Sequence, residues 1–330
     1  MSGDVALVIL SGGNASRVAR LAAGRPKALL PVGGAPLVVH HLLKAERFPC
    51  RPYLQVHIDN HGFGEELGEW LRALRRPLPV LRTHGDLSVA MRQICDLGHP
   101  EIFLVNGDVV SDVDYAVVHR AFRERGASAL TVSVPGGAER GCSVPRDWLE
   151  VGTEGPPHDL MGLTVIRREF LAAIAERVAY DFWGAVRALL LRAPGRHGVE
   201  VLETSARWHD VGTVDRFFSV NLQATELDYL SAPLVARGFV ERTDAGSLLA
   251  RGARVESRAV VRSVVCAGAC VTAASRLSRS VVLPGARVDA QVEVADGWLF
   301  APAWAERYEG TVPGSAASPS VPSFTGGTYA

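Results

Sequence analysis

The chain carries a glycine-rich loop, LSGGNASRV (10–18), directly after an apolar run, and a Pro-Lys pair follows at 26–27. Gly12 and Gly13 let backbone N–H groups approach a ligand closely and form a concave anion site. The planar fork of Arg17 and the compact charge of Lys27 suit the phosphates of a polyphosphate ligand. The spacing fits neither the Walker pattern nor GxGxxG, so taken alone the loop also fits a solvated glycine turn.

Two aspartates stand where a metal ligand is expected. Asp108 ends the run IFLVNGD (102–108), which places its carboxylate at the carboxyl end of a predicted buried strand. Asp210, in WHDVGT (208–213), comes between a predicted strand at 199–204 and a helix started by Thr213. Carboxylates at such positions can coordinate a hard cation. The plainer interpretations are an Asn-Gly turn for the first and a helix-entry acid near an N-terminal dipole for the second.

Short β-branched runs alternate with amphipathic stretches up to about residue 225. This alternation predicts an α/β fold with a Rossmann-like, mostly parallel sheet. Ligands of such sheets bind beyond the carboxyl ends of the strands, where the glycine loop and Asp108 fall. The predicted strands are 5–10, 53–58, 102–105, 129–134 and 163–167, and the predicted helices are 37–47, 65–75, 88–97 and 117–125.

A repeat begins after about residue 228. RSVVCAGACV (262–271) recurs as RSVVLPGARV (279–288) at an offset of 17, and RGARV (251–255) precedes both. Short β-branched runs with tight Gly-Ala corners predict a small β-solenoid, best matched by hexapeptide-like coils of a left-handed β-helix. We therefore predict an α/β domain over 1–228, a linker and β-helix over 229–305, and a disordered tail over 306–330.

The charge balance argues against several classes of partner. Basic and acidic residues number 35 each, so no net field attracts polyanions, and nucleic acid is not an expected partner. No stretch approaches the roughly 18 apolar residues of a membrane span, and the first ten residues do not fit a signal peptide. The five cysteines form no CxxC pair and indicate free thiols. We expect a cytoplasmic protein without a membrane partner.

Taken in this order, LSGGNASRV…RPKALLPVGGAPL, NGD and WHDVGT, followed by the β-solenoid, resemble the sugar-1-phosphate nucleotidyltransferases, also called NDP-sugar pyrophosphorylases. The branches most resembled are the mannose-1-phosphate guanylyltransferases and the glucose-1-phosphate adenylyltransferases, which carry a left-handed β-helix. The resemblance extends from residue 5 to about residue 305. It implies an enzyme of the EC 2.7.7 type that uses a nucleoside triphosphate, with a slight preference for GTP or ATP, and a sugar 1-phosphate.

The resemblance also assigns roles to individual residues. Arg17 and Lys27 would be the catalytic cations, and Asp108 and Asp210 would bind Mg²⁺, the implied cofactor. Transfer of a nucleoside monophosphate depends on positioning and charge neutralisation more than on covalent participation by the protein. The residues assigned to the nucleotide are Leu10, Ser11, Gly12, Gly13, Asn14, Ser16, Gly85 and Asp108.

The chain departs from the family pattern on the acceptor and base-reading sides. The third glycine of the opening motif is Ala15, and the base-reading segment is only loosely echoed by THGDLSVAM (83–91). The family's Glu-Lys-Pro, whose lysine grips the sugar phosphate, appears as EGP (154–156), and no lysine exists beyond Lys44. We therefore expect an atypical acceptor, such as a heptose, octose or cyclitol phosphate. The residues assigned to the sugar phosphate are Gly141, Glu154 and Arg146, with Arg140 and Arg167 as further candidates to replace the lysine.

Two other functions stay open. A catalytically silent regulatory or structural subunit would explain the missing lysine, although such a subunit has no need of two metal carboxylates. An acyltransferase that works through a histidine of the β-helix is disfavoured, because all ten histidines lie at or before His209. The exposed coils and edges of a β-helix favour self-association, so we expect a homo-oligomer.

Overall fold

The computed structural model describes residues 4–13, 16–60, 63–84, 86–134, 142–149, 157–177, 181–192, 198–289, 293–294, 297–302 and 304–307. In chain order the strands of its first part are β1 (Val5–Ser11), β2 (Pro31–Val32), β3 (Ala35–Pro36), β4 (Arg51–His57), β5 (Val80–Thr83), β6 (Glu101–Asn106), β7 (Val109–Ser111), β8 (Ala129–Ser133), β9 (Cys142–Val144), β10 (His158–Arg167), β11 (Val199–Glu203) and β12 (Trp208–Asp210). The helices are α1 (Ala19–Ala22), α2 (Leu37–Ala45), α3 (Gly64–Leu74), α4 (Leu87–Cys95), α5 (Tyr115–Arg125), α6 (Arg146–Leu149), α7 (Arg168–Ala175), α8 (Phe182–Arg192), α9 (Val214–Ala224) and α10 (Asp228–Ala236).

The central sheet has the strand order β11-β8-β10-β6-β1-β4-β5, with β9 beside β10. Strand β10 runs antiparallel between β6 and β8, and the pairs β1-β4, β1-β6, β4-β5 and β8-β11 are parallel. Successive residues of β1 enter two different cores, Leu7 and Ile9 on one face and Ala6 and Val8 on the other. Burial on both faces explains the continuous apolar run. The predicted α/β fold with a mostly parallel sheet is confirmed.

Helices α4, α5 and α9 begin where the sequence supplies a capping side chain. The side chains of Asp86, Asp114 and Thr213 accept main-chain N–H bonds at the starts of α4, α5 and α9. The four predicted helices are confirmed within two residues of their observed bounds. Among the residues that the structure describes, no helix is long and apolar enough to cross a membrane.

Strands β7 and β12 form a two-stranded antiparallel ribbon directly after the carboxyl end of β6. Trp208 pairs with Ser111 and Asp210 pairs with Val109. Each strand has three residues, which is too short for an alternating pattern to show in the sequence. The ribbon matters because it joins the chain segment of Asp108 to that of Asp210.

The second part of the chain is a β-helix. Val264 pairs in parallel with Val281, which is the predicted offset of 17. Gly268 and Gly285 turn equivalent corners, each with a φ of +73°. The predicted β-helix is confirmed. Its strands are β13 (Val240–Arg242), β14 (Leu248–Ala250), β15 (Arg254–Val255), β16 (Val260–Val261), β17 (Val264–Val265), β18 (Cys270–Val271), β19 (Arg276–Ser278), β20 (Val281–Val282), β21 (Arg287–Val288), β22 (Glu293–Val294), β23 (Trp298–Ala301) and β24 (Trp304–Arg307).

One face of the β-helix packs on the α/β part. Leu248, Val264 and Val281 belong to the same hydrophobic cluster as the core face of β1. The tip of the β2–β3 hairpin meets this face of the β-helix, where a Cβ at Gly33 would lie 3.6 Å from Leu248. The domain boundary near residue 228 stays a prediction, and the predicted tail lies outside the described residues from 308 onward.

Candidate active site

Asp108 and Lys27 form an ion pair at the carboxyl end of β6. The turn before Asp108 packs closely on β1, because the Gly107 N–H donates to the Leu10 main-chain oxygen at 2.7 Å. A Cβ at Gly107 would lie 2.9 Å from that oxygen, so the approach requires glycine. Lys27 Nζ donates to Asp108 Oδ2 at 3.2 Å. Two motifs that are far apart in the sequence therefore meet at one point.

Ser11 fixes the segment that carries Lys27. Its hydroxyl oxygen is buried and accepts the Ala28 N–H at 3.0 Å. Lys27 starts a short 3₁₀ turn immediately beside this bond. The predicted nucleotide residue Ser11 thus also positions the lysine.

Asp210 lies next to Asp108 across the ribbon. The Val211 N–H donates to the main-chain oxygen of Asp108 at 2.8 Å. Both carboxylate oxygens of Asp210 are engaged, since Oδ1 accepts the Gly212 N–H at 2.6 Å and Oδ2 accepts an Arg216 N–H at 2.7 Å. Strand pairing therefore places the main chains of the two predicted metal ligands side by side.

Arg17 reaches the same ribbon from the glycine loop. It lies in a 3₁₀ turn, and the residue is exposed. Its Nη2 is 3.3 Å from the point where a Cβ at Gly212 would stand, so the guanidinium lies beside the turn that follows Asp210. Each predicted metal carboxylate thus has one of the two predicted catalytic cations near it.

A cavity of about 390 Å³ opens between the glycine loop and α4. It lies at the carboxyl ends of parallel strands, where α/β sheets bind ligands. The residues predicted for the nucleotide at Asn14 and Gly85 lie outside the described residues, as does the side chain of Ser16. The lining consists of the predicted residues Leu10, Ser11, Gly12, Gly13, Lys27 and Asp108, together with Gln55, Thr83, His84, Asp86, Leu87, Ala90 and Asn106.

Gln55 is a cavity residue absent from the sequence predictions. It is buried on β4, and its Nε2–H donates to Thr83 Oγ1 at 2.7 Å. The Thr83 hydroxyl donates in turn to the Val56 main-chain oxygen at 3.4 Å, and both Gln55 and Thr83 line the cavity. A Cβ at Gly12 would overlap the Gln55 amide, so a side chain at position 12 would force that amide to move. In the sequence, the feature that could have indicated Gln55 is its position as a polar residue within the apolar strand YLQVH (53–57).

The pair of carboxylates fits Mg²⁺. This ion takes oxygen ligands in octahedral geometry, keeps several waters, and is held by one or two carboxylates together with substrate phosphates. Asp108 and Asp210 supply that donor set. No group of three or more His, Cys, Asp or Glu side chains that could hold a metal occurs in the described part of the chain. The site therefore suits a metal ion that binds together with the substrate, with phosphate oxygens completing its coordination.

The residues predicted for the sugar phosphate are only partly described. Gly141, Glu154 and Arg140 lie outside the described residues. Arg146 stands on α6, and its Nη2 is 3.4 Å from Glu203 Oε1 at the carboxyl end of β11. Because β11 and β6 run in the same direction, Arg146 lies at the same edge of the sheet as the ion pairs.

Arg167 is wrong as a replacement for the missing lysine. It lies opposite Glu101, at the start of β6, and its Nε–H donates to the Ala127 main-chain oxygen at 3.0 Å. Its guanidinium also lies over the Phe122 ring. The antiparallel direction of β10 therefore carries Arg167 to the edge opposite the cavity.

Lys44 supports the ribbon from α2. Its Nζ donates to Ser111 Oγ at 2.9 Å, and the ammonium lies over the Tyr115 ring. Burial lowers the pKa of Lys44 to about 8, although the carboxylates of Asp112 and Asp114 oppose that shift. These contacts hold β7, and with it the chain at Asp108, against the helical layer.

Comparison with known proteins decides the family. The MobA-like NTP transferase domain matches residues 7–197, more than half of the chain. The chain belongs to this family. The prediction of a nucleotidyltransferase enzyme is thereby confirmed, together with the resemblance on which the residue assignments rest.

Two proteins extend the comparison of this nucleotidyltransferase. It is 27% identical over 305 residues to the mannose-1-phosphate guanylyltransferase of Mycobacterium tuberculosis (strain ATCC 25618 / H37Rv), covering 87% of this chain and 82% of the relative. A structure from Bacillus anthracis, assigned as a glucose-1-phosphate thymidylyltransferase in complex with sucrose, superposes with a TM-score of 0.55 at 16% identity. That match covers 68% of this chain and 96% of the other, and it shows a shared fold.

Proposed function

We propose that the protein transfers a nucleoside monophosphate from a nucleoside triphosphate to a sugar 1-phosphate, with pyrophosphate as the second product. The observation that carries the proposal is the ion pair of Asp108 and Lys27 in the wall of a glycine-lined cavity, with Asp210 and Arg17 at the ribbon that follows Asp108. Carboxylates for a metal and cations for phosphates, next to a cavity of ligand size, are the parts that nucleotidyl transfer needs.

In the proposed reaction an oxygen of the sugar phosphate attacks the α-phosphorus of the triphosphate. One P–O bond forms as the bond to pyrophosphate breaks, and the attacking phosphate is already ionised near neutral pH, so no side chain needs to accept a proton. Lys27 and Arg17 neutralise charge on the phosphates and on the departing pyrophosphate. Mg²⁺ held by Asp108 and Asp210 would supply further charge neutralisation at the phosphate oxygens.

We infer that the donor is a purine nucleotide, GTP or ATP. The support is a relative that is a guanylyltransferase by name and 27% identical. The structural neighbour is assigned as a thymidylyltransferase, so the fold itself does not discriminate between bases. Gln55 lines the cavity, and we infer that its side-chain oxygen accepts a hydrogen bond from an amino or imino group of the base.

We also infer an acceptor outside the common hexose 1-phosphates, such as a heptose, octose or cyclitol phosphate. The support is the absence of lysine beyond Lys44, because the family uses a lysine in that part of the chain to bind the sugar phosphate. Arg146 is the described candidate at the correct edge of the sheet. An arginine fork prefers paired hydrogen bonds, so it would hold the phosphate at another angle than a lysine does.

We place the protein in the cytoplasm as a homo-oligomer. The support for self-association is the β-helix, whose exposed coils and edges favour association with a second copy. Light scattering on the purified protein tests this inference. A monomer at micromolar concentration contradicts it.

The decisive experiment measures pyrophosphate release by the purified protein with Mg²⁺, across five nucleoside triphosphates and a panel of hexose, heptose and cyclitol 1-phosphates. We expect release that requires one triphosphate and one acceptor. Absence of release across the panel, with nucleotide binding seen as a thermal shift, would instead favour a catalytically silent regulatory or structural subunit.

A further inference from the structure

Both carboxylates at the predicted metal site are held by basic side chains. Lys27 Nζ lies 3.2 Å from Asp108 Oδ2, and Arg216 Nη1 lies 2.7 Å from Asp210 Oδ2. The other oxygen of Asp210 accepts the Gly212 N–H. A metal ion at Asp210 would therefore meet the charge of Arg216, and repulsion between like charges would drive the two apart.

Arg216 is placed so that its side chain can move while its main chain stays fixed. Its N–H donates to the capping Thr213 hydroxyl at 3.3 Å in the first turn of α9. Its side chain is 38% exposed, whereas that of Asp210 is 19% exposed. An ion pair with one partly exposed member is weak, because water competes for both charges. Release of Arg216 from Asp210 thus requires no change in the helix.

The phosphates of the proposed substrates require positively charged side chains near Asp210. A terminal phosphate carries about two negative charges near neutral pH. Lys27 and Arg17 are the cations assigned from the sequence, and Arg216 is a third cation beside the same ribbon. A guanidinium makes the same paired N–H bonds to a phosphate as to a carboxylate. The group that now holds Asp210 can therefore hold a phosphate.

We propose that Arg216 exchanges partners during binding. It rests on Asp210 in the free protein, and it bonds a substrate phosphate when Asp210 takes the metal. This inference rests on the proposed function, which supplies the phosphate ligands. In the free protein Arg216 also neutralises the carboxylate of Asp210, whose segment is bonded to that of Asp108. In the complex it contributes part of the charge that a chain without lysine beyond Lys44 must provide by arginine.

A purely structural role for Arg216 makes the opposite prediction. If the guanidinium served only to orient the Asp210 carboxylate, its removal would weaken metal binding under all conditions. If it competes with the metal, its removal strengthens binding of the bare ion and weakens binding of the metal together with phosphate. The sign of the change in metal affinity separates the two roles without any measurement of turnover.

The test compares the wild type with Arg216→Gln and Arg216→Lys by two titrations. The first measures the affinity for Mn²⁺ alone by electron paramagnetic resonance, and the second measures the affinity for pyrophosphate at saturating Mn²⁺ by calorimetry. For Arg216→Gln we expect Mn²⁺ to bind about 5-fold tighter and pyrophosphate about 10-fold weaker, with Arg216→Lys between the two. The matched control is Arg207→Gln, which removes an arginine paired with Asp112 at 2.9 Å on the neighbouring strand end.

A second arm asks which substrate supplies the phosphate. In steady-state assays, a KM increase confined to the triphosphate assigns Arg216 to the donor, and one confined to the sugar phosphate assigns it to the acceptor. The proposal is overturned if Arg216→Gln binds Mn²⁺ with unchanged or lower affinity, or if its affinity for pyrophosphate matches that of the wild type. Failure of the wild type to release pyrophosphate from any substrate pair would instead contradict the proposed function, and the two titrations would still decide the exchange.

Discussion

Asn221 Oδ1 accepts the Gly33 N–H at 3.0 Å, across a separation of 188 residues. The Asn221 Nδ2 group donates to the main-chain oxygens of Pro31 and Phe217, also at 3.0 Å, and the side chain is fully buried. This one amide joins the β2–β3 hairpin, which follows Lys27, to helix α9, which follows Asp210. The relative position of a phosphate-binding cation and a metal carboxylate thus depends on a side chain that contacts neither.

Replacement of Asn221 by alanine should therefore affect stability and activity together. The change leaves the Gly33 N–H and the Pro31 main-chain oxygen buried without partners, so we expect the free energy of unfolding to fall by about 3 kcal/mol. We also expect kcat to fall by about 10-fold at temperatures where the variant is folded, because the two site segments lose their link. Urea denaturation and steady-state kinetics measure the two effects.

Gln223 on the same helix is the matched control. Its Nε2 donates only to the exposed Ser219 hydroxyl at 3.1 Å. We expect Gln223→Ala to change stability by less than about 0.5 kcal/mol. Equal effects of the two alanine variants would show that Asn221 has no special role in positioning the site.

The carboxylates of Asp108 and Asp210 should be needed for catalysis and not for folding. Asp108→Asn and Asp210→Asn keep the shape of the side chain and remove its charge, so we expect turnover to fall by at least about 100-fold at all Mg²⁺ concentrations. Asp112→Asn, at the end of the ribbon and paired with Arg207, is the control, with an expected change of less than about 3-fold. Wild-type turnover in either site variant would refute the metal assignment.

Gly12 and Gly13 should differ sharply in their tolerance of a side chain. A Cβ at Gly12 overlaps the Gln55 amide, whereas a Cβ at Gly13 meets nothing within 4 Å. We expect Gly12→Ala to lower the free energy of unfolding of the ligand-free protein by about 1–3 kcal/mol and Gly13→Ala to change it little.

A second replacement, Gln55→Ala, tests the cause of the Gly12 effect. Removal of the glutamine amide opens the space that the new methyl group needs, so the double variant should be more stable than the sum of the single changes. Strict additivity would show that the strain at Gly12 arises elsewhere. The same Gln55 variant should raise the KM for the triphosphate and leave the KM for the sugar phosphate unchanged, because Gln55 lines the proposed nucleotide cavity.

The parts of the site that the sequence predicted are those encoded by local motifs at strand ends. Asp108 follows β6 and Lys27 lies in the segment that follows β1, and these parallel neighbours end at the same edge of the sheet. The offset of 17 in the β-helix was equally readable, since coil length fixes which valines stack. In both cases a short-range pattern determines a long-range contact.

The parts that were missed depend on pairings with no local signature. Arg167 follows an apolar strand as a good candidate should, but β10 runs antiparallel, and nothing in its residues reveals that direction. The strands of the ribbon that carries Asp210 have three residues each, which is too short for a periodic pattern to show in the sequence. The roles of Gln55 and Arg216 depend on contacts with residues of other strands and helices, which the local sequence does not show.

The paired histidines of α2 should make the protein less stable in mild acid. Burial, as the largest cause, lowers the pKa of His40 to about 4 and that of His41 to about 3, and the neighbouring Lys44 charge adds to both shifts. Both pKa values lie below the ordinary value of about 6.5. In mild acid the unfolded chain therefore binds protons at these histidines, whereas the folded protein does not. The stability that the neutral histidines contribute is therefore complete above pH 6.5. It is lost as the pH falls from there toward their folded-state pKa values.

At pH 5 the expected loss is about 2 kcal/mol for each histidine, relative to pH 7.5. His40 Nε2 lies 3.0 Å from the Val32 main-chain oxygen, and glutamine can donate in its place without titrating. We expect His40→Gln to reduce the loss between pH 7.5 and 5 by about 2 kcal/mol in urea denaturation. His84→Gln, at an exposed position in the cavity wall, serves as the control and should retain the wild-type dependence on pH. An unchanged loss in His40→Gln would mean that other groups cause the acid sensitivity.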